Sequence, residues 1–345
     1  MFDTKADARR WLNGLDVART DGTYVDPVAG RRTVADYAAE WLAGRDGEHS
    51  TRYRERSALN RWVVGRLGYL QLDQLTPAVL RAWNVEVRDA LSDSTVAYVR
   101  GRLRAMLATA VADRLLPRNP ADEVEWARLD TERHDMVVLS VGEVDQLAAK
   151  IDPAYRALVL IGCFAGLRIG ELVALRRADV DLDRCRVHVT RATSEIAGRL
   201  DEDRPTKTRA GVRSVPIPSA VAAQLRPLLD DLDPADHVVT TATGKVLRQS
   251  WFRRRYWLPA VEAIGRPGFR VHDMRHTAIT LWIHAGADVM KVSRWAGHTN
   301  PGFTLRRYGH LYPSDDAEAM GTLDGMWRSV GAVVDLAAVR TRRAR

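Results

Sequence analysis

Cysteine is nearly absent: Cys163 and Cys185 are the only two in 345 residues. No C-x-x-C pair and no His/Cys cluster occurs, which excludes a disulfide framework and the common zinc-ligand spacings. Both cysteines lie in apolar or strand-like contexts and read as reduced, buried thiols of a cytosolic protein. Lysine is scarce too, confined to Lys5, Lys150, Lys207, Lys245 and Lys291, so arginine carries almost all the positive charge. With the abundant alanine, that bias suits a GC-rich genome, and most arginines need no functional reading. No apolar run reaches the length of a membrane span, and Asp3, Asp7 and Arg9 interrupt the N-terminus where a signal peptide would be apolar. A cytoplasmic chain, without disulfides and without a membrane span, is expected.

What is present is length, basic charge and helical pattern. A chain of this length suggests two or three domains with ample core. The formal net charge of +8 makes an acidic polymer a plausible partner, although a merely basic enzyme fits composition equally well.

Residues 4–19 read as an amphipathic helix, with Thr4 and Asp7 as a capping box and Ala8, Trp11, Leu12, Leu15 and Ala18 as one stripe. Gly22–Arg32 is a turn-rich linker. From Thr33 to about Trp126 the pattern is helical throughout. Thr33 caps a helix bearing Val34, Tyr37, Ala38, Trp41 and Leu42. Ser50 and Thr51 open a second, with Tyr53, Leu59, Trp62 and Val63. Thr76 and Pro77 start a third. Ser94 opens a fourth, with Val96, Val99, Leu103, Met106, Leu107 and Ala110. A small all-α bundle follows from this. Arg52, Arg54, Arg56, Arg61, Arg66, Arg100, Arg102 and Arg104 are expected on its exposed faces. Singly each is a solvated charge; together they suit phosphate contacts along a duplex. The polar stretch 127–138 reads as a linker, and Ser140 with Glu143 caps the first helix of a second domain.

The chemistry concentrates downstream. His272 and Arg275 are i, i+3 neighbours on one predicted helix; His298 follows a Gly after the run Val289, Val292, Trp295, Ala296; Tyr308 lies ten positions on. Cationic or proton-donating groups with one hydroxyl point to a phosphate attacked by an oxygen nucleophile, with no metal required. Upstream, a buried helix over Tyr155–Phe164 stops at Gly166, and Arg168 opens another, so unpaired N–H groups and a guanidinium fork meet an anion together. Glu171, one turn on, either orients Arg168 or forms a surface ion pair. Arg186–Thr190 and Arg213–Ile217 alternate as strands, with Lys207 between them. Val238–Val239 suits a short strand. The basic helical segment Arg248–Ile264 interleaves Trp251, Phe252, Tyr256 and Trp257 as core, with its arginines free for backbone or base contacts.

H-x-x-R, Gly-His and a Tyr ten residues later, with A-G-L-R-I-G-E-L and T-K-T-R-A-G upstream, resemble the catalytic domain of tyrosine recombinases, the phage integrase family, and especially the integrases of actinobacterial phages and integrative elements. The resemblance implies a mostly α fold with a small β-sheet. A SAM-like all-α core-binding domain (33–126) and a linker (127–138) precede an α+β catalytic domain (139–315), with a C-terminal tail (316–345) that packs in trans on a neighbour or folds back in cis. Residues 1–32 would be the remnant of an arm-binding domain and its linker, Met1 being an internal start or a natural truncation. The implied catalytic set is Arg168, Lys207, His272, Arg275, His298 and Tyr308, with no cofactor and no metal. Tyr308 attacks, forming a 3′-phosphotyrosyl bond; His272 accepts its proton; Arg168, Arg275 and His298 hold the non-bridging oxygens; Lys207 protonates the leaving 5′-oxygen. Tyr312 is the competing tyrosine, and His276 and His310 read as structural or secondary. The implied partners are double-stranded DNA at attachment sites, three further copies in a homotetramer, and an excisionase or DNA-bending accessory protein. The location is cytoplasmic, on the nucleoid when active. A Xer-like dimer resolvase, a type IB topoisomerase and a non-catalytic DNA-binding relative are the alternatives.

Overall fold

The computed structural model describes residues 29–130, 136–205, 211–312 and 316–333, together with scattered positions before residue 29. The predicted helix over 4–19 falls mostly outside them. Two compact units divide the chain, Met1–His134 and Asp135–Arg345.

The first unit is a helical bundle: α1 (Val34–Ala43), α2 (His49–Ala58), α3 (Pro77–Ala90) and α4 (Asp93–Ala112). α2 runs on through a π-helical turn at Leu59–Val64. Thr33 caps α1 by accepting from Asp36 N–H, and Thr76 caps α3 by accepting from Val79 N–H, as the sequence predicts. The apolar stripes meet in one core that includes Leu59, Leu80, Leu103 and Met106, each buried side chain worth about 1.5–3 kcal/mol. Three expectations need correcting. Tyr53 is exposed. α4 starts at Asp93, with Ser92 rather than Ser94 at the cap. Arg100 is buried, not on a face: its Nε donates to Asn84 Oδ1 (2.7 Å), its Nη1 to Ala127 O (3.2 Å), and its guanidinium lies over the Trp126 ring. It faces inward because it shares the α4 stripe with Val96, Val99 and Leu103, two of them one helical turn away. Arg52, Arg54, Arg56, Arg61 and Arg104 are exposed.

The second unit packs helices around two small sheets. α5 (Val141–Lys150) begins at the predicted Ser140–Glu143 capping box. α6 (Arg156–Ala165) is buried on nearly every side, and α7 (Ile169–Val173) is one short turn. Strands β1 (Val180–Asp181), β2 (Arg186–Val189) and β5 (Arg213–Pro216) form an antiparallel sheet in the order β1-β2-β5. β3 (Arg191–Ile196) and β4 (Arg199–Pro205) form a separate hairpin. Lys207 follows β4 and lies outside the described residues. After α8 (Ser219–Leu229), Val238 and Val239 are buried but make no strand; His237 beside them forms a single bridge to Arg176. The basic segment is helical from Gln249 to Ala263 with a π-helical turn at Arg253–Trp257. Phe252 and Trp257 enter the core, and Arg248, Arg253, Arg254 and Arg255 remain exposed. α9 (Asp273–His284), α10 (Val289–Ala296), α11 (Pro301–Tyr308) and α12 (Asp316–Val333) complete the chain. Cys163 is buried, whereas Cys185 is only half-buried. The mostly helical, small-sheet fold expected from the sequence is the one found. Among the described residues no helix is long and apolar enough to cross a membrane.

Candidate active site

The site is built on two helix ends. α6 stops at Gly166 (φ 61°) and α10 at Gly297 (φ 64°), left-handed positions that glycine takes without a Cβ clash. At the end of α10 the last carbonyls can be followed one by one. The N–H groups of Gly297 and His298 donate to Arg294 O (3.1 Å) and Ser293 O (3.0 Å). The next three carbonyls have no partner within the helix, and each takes an arginine. Arg213 Nε donates to Trp295 O (2.7 Å), Arg275 Nη2 to Ala296 O, and Arg168 Nη2 to Gly297 O (3.2 Å). The negative end of the helix dipole thus gathers three guanidinium groups.

One carboxylate ties two of these arginines together. Glu171 accepts from Arg168 N–H (2.8 Å) and Nη1 (3.0 Å), and from Arg213 Nη1 (3.0 Å) and Nη2 (2.7 Å). Burial alone would lift its pKa, but the bonds and charge of Arg213, with the charge of Arg168, outweigh burial and hold it below the ordinary value. Glu171 is buried, so a surface ion pair is excluded. Arg168 is different from its partners: its side chain is 43% exposed. With His298, Arg306, Gln249 and Thr193 it lines a cleft of about 830 Å³.

Arg275 has no such freedom. It is 4% exposed, and its Nη1 donates to Gly166 O (2.8 Å). No carboxylate among the described residues lies within ion-pair distance of it. Burial, then the charge of Arg168, pull its pKa down to about 9, so it stays cationic at neutral pH. A buried charge held only by carbonyl dipoles is poorly compensated, and an arriving anion would complete it.

The imidazoles and the phenol form a second cluster. His272 sits at the N-terminal cap of α9, its ring 5.2 Å from that of His276 and nearly perpendicular to it. His276 Nδ1 is 2.5 Å from Tyr308 Oη. His298 Nδ1 is 2.8 Å from Thr304 Oγ1 on α11. Burial is the first cause of every shift here. It lowers His272, takes His276 to about 4 and His298 to about 3, the nearby arginines adding to the effect on His272 and His298, so these rings are neutral at pH 7. It lifts the Tyr308 phenol to about 12, partly offset by Arg275 and Arg307. Tyr308 is 2% exposed.

Five of the six residues singled out from the sequence therefore fall within one connected region. Arg168, Arg275 and His298 meet at the end of α10, and His272 and Tyr308 both contact His276. Lys207 lies outside the described residues. Residues 138–315 match the model of the phage integrase family. The integrase of Mycobacterium phage L5 is 31% identical over 339 residues, covering 93% of this chain and 90% of that protein.

The chain belongs to the phage integrase family.

It is a tyrosine site-specific recombinase. Among solved structures, a Tn1549 transposon integrase in complex with a circular intermediate DNA superposes with a TM-score of 0.68 at 23% identity, over 85% of this chain and 99% of that one. A lambda integrase tetramer bound to a Holliday junction gives 0.57 at 13%, over 87% and 86%. Both similarities concern the fold. Sequence reasoning missed Arg213 in this region and read His276 as structural. Arg213 shares the inward face of β5 with Val215, and a charge at a core-facing register needs a buried acid; that signal was available. His276 stands one helical turn from His272 on the same helix, a spacing that marks it as a neighbour and nothing more.

Proposed function

We propose that this recombinase is an integrase that cleaves and rejoins duplex DNA at attachment sites, inserting and excising a phage or mobile element. Tyr308 is the nucleophile, and the intermediate is a 3′-phosphotyrosyl link that keeps the phosphodiester energy, so neither ATP nor a metal enters the reaction. The observation that carries this reading is the trio of guanidiniums on the last carbonyls of α10. Arg168 opens to the cleft and Arg275 lacks a carboxylate, so fixed positive charge waits where charge on a phosphate would grow. His298, neutral and fixed by Thr304 through Nδ1, keeps Nε2 for a phosphate oxygen. Lys207 protonates the departing 5′-oxygen. His272 lines the region, but its ring reaches His276 rather than the phenol. A phenol 2% exposed cannot meet a phosphate until its cover shifts, so DNA binding uncovers Tyr308.

Residues 33–126 serve as the core-binding domain, 127–138 as the linker and 139–315 as the catalytic domain. Exposed arginines of the bundle and of the Gln249–Ala263 segment contact phosphates. The protein works as a tetramer in the cytoplasm, with a DNA-bending or excisionase partner. The lambda integrase tetramer of like fold supports that assembly. So does α12, where Met320, Leu323 and Trp327 are exposed and suit packing against a second copy.

A nicked suicide duplex, which traps the covalent adduct, tests the proposal. Tyr308→Phe should leave DNA binding intact and form no adduct. An adduct that survives this change would move the nucleophile, with Tyr312 the first place to look.

A further inference from the structure

The residue in contact with Tyr308 is His276, which directly follows the arginine of the H-x-x-R pattern and reads from the sequence as structural. Its Nδ1 lies 2.5 Å from Tyr308 Oη, and the two rings are 5.8 Å apart. Both side chains are buried, at 8% and 2% exposure. The bond spans two helices, α9 and α11, so it is a tertiary choice and not a local accident. No hydrogen bond joins His272 to the phenol; its ring packs edge-on against that of His276. Both side chains are buried, and among the described residues the phenol oxygen has one hydrogen-bond partner, His276.

We infer that His276 is the first acceptor of the Tyr308 proton and the group that aims the phenol. This rests on Tyr308 being the nucleophile. The phenol is protonated at neutral pH and His276 is neutral, so Oη–H donates and the Nδ1 lone pair accepts, with the ring proton on Nε2. In cleavage the Oη–H bond breaks and the proton passes to Nδ1 as Oη bonds to phosphorus. The bond from phosphorus to the 5′-oxygen breaks, and that oxygen takes a proton from a separate donor, the role given to Lys207. Religation runs the same steps backwards and returns the proton from His276 to Oη. His272 packs edge-on against His276 and holds its orientation, without touching the reacting oxygen.

The test uses the full chain and single-turnover adduct formation on a nicked suicide duplex at saturating protein. His276→Asn keeps a hydrogen-bonding group near Nδ1 but cannot take a proton; His276→Gln is the second variant. Each should lower the cleavage rate about 100- to 10,000-fold, the range for a lost general base, with DNA affinity within about threefold. Placing a fluorinated tyrosine of lower phenol pKa at position 308 should recover at least about tenfold of that loss, because a more acidic phenol needs less help. A 5′-phosphorothiolate bond, whose sulfur leaves without a proton, should rescue Lys207→Ala but not His276→Asn. In the unaltered protein, ¹⁵N spectra of histidine should show the Nδ1 of His276 unprotonated. Cleavage by the His276 variants within about threefold of normal, a gain in rate, a loss that the fluorinated phenol does not relieve, or a protonated Nδ1 in the native protein each overturns the assignment. Tyr308→Phe separates the two levels. No adduct with Phe at 308 but full cleavage by His276→Asn sinks only the His276 role, whereas an adduct with Phe at 308 sinks the nucleophile itself.

Discussion

Among the described residues, each unit of this recombinase has one buried glutamate that gathers two arginines, and one buried arginine with no carboxylate within ion-pair distance. In the helical bundle Glu55 pairs with Arg45 and Arg102, whose side chains are 42% and 32% exposed. In the second unit Glu171 pairs with Arg168, 43% exposed, and Arg213, 3% exposed. The buried arginine of the bundle, Arg100, is closed off by an amide, a carbonyl and an indole face. That of the second unit, Arg275, is held by two carbonyls beside imidazoles and a phenol whose pKa values are all displaced. The same devices thus serve packing in one unit and, on the function proposed above, an anion site in the other. What separates them is the company: a perturbed cluster of titratable groups next to a cleft is the mark of chemistry.

That contrast can be broken at several points. The largest effect is expected at the two lone arginines. Arg275→Ala should slow adduct formation on the suicide duplex by about 100- to 1,000-fold or more, the scale of a lost oxyanion donor. Arg100→Met should leave the rate at saturating protein within about threefold and show itself only in stability. Equal losses would mean that both arginines are structural.

The glutamates come next. Glu171→Gln strands the buried Arg213 and should cost about 3–5 kcal/mol in urea unfolding of the second unit. Glu55→Gln frees arginines that can turn to water, at about 1 kcal/mol or less. A reversed order would show that Arg213 finds other compensation.

A smaller, graded effect is expected from pH. His276 and His298 have folded values of about 4 and about 3, below the ordinary 6.5. Between those values the unfolded chain binds more protons than the folded one, so stability is complete above about pH 6.5 and is lost as pH falls. Each imidazole contributes a slope of up to about 1.4 kcal/mol per pH unit. Urea midpoints between pH 6.5 and 5, above the carboxylate range, should fall for the native protein and fall less steeply for His276→Asn and His298→Asn. An unchanged slope would mean that these rings are not buried neutral.

The smallest effect should be the same in both units. Thr76→Ala and Ser140→Ala each remove one cap bond, costing about 1 kcal/mol by thermal melting.

Much of this was legible beforehand. Thr33, Thr76 and Ser140 announced their helices because a cap is a local bond between residues three apart. β2 and β5 were legible from alternation. The stops at Gly166 and Gly297 stood at the ends of apolar runs. Arg100 was misplaced because a helical stripe read for apolar residues passes over the arginine within it. Ser94 reads as the start of α4, yet Ser92, two residues earlier, takes the cap: serines so close offer the same chemistry, and only the path of the chain selects one. Glu171 could be joined to Arg168 from spacing, but its burial and its second arginine could not.

The sequence by itself determined the element order, the family and the identity of the charged groups, because capping, periodicity and motif spacing act over a few neighbouring residues. Only the tertiary structure decided that Arg168, Arg213 and Arg275, drawn from three distant segments, would share three successive carbonyls, and that Tyr308 would meet His276 rather than His272. Those choices belong to packing: which orphan carbonyl or ring nitrogen a buried donor reaches depends on how helices lie against one another, and no local rule fixes that.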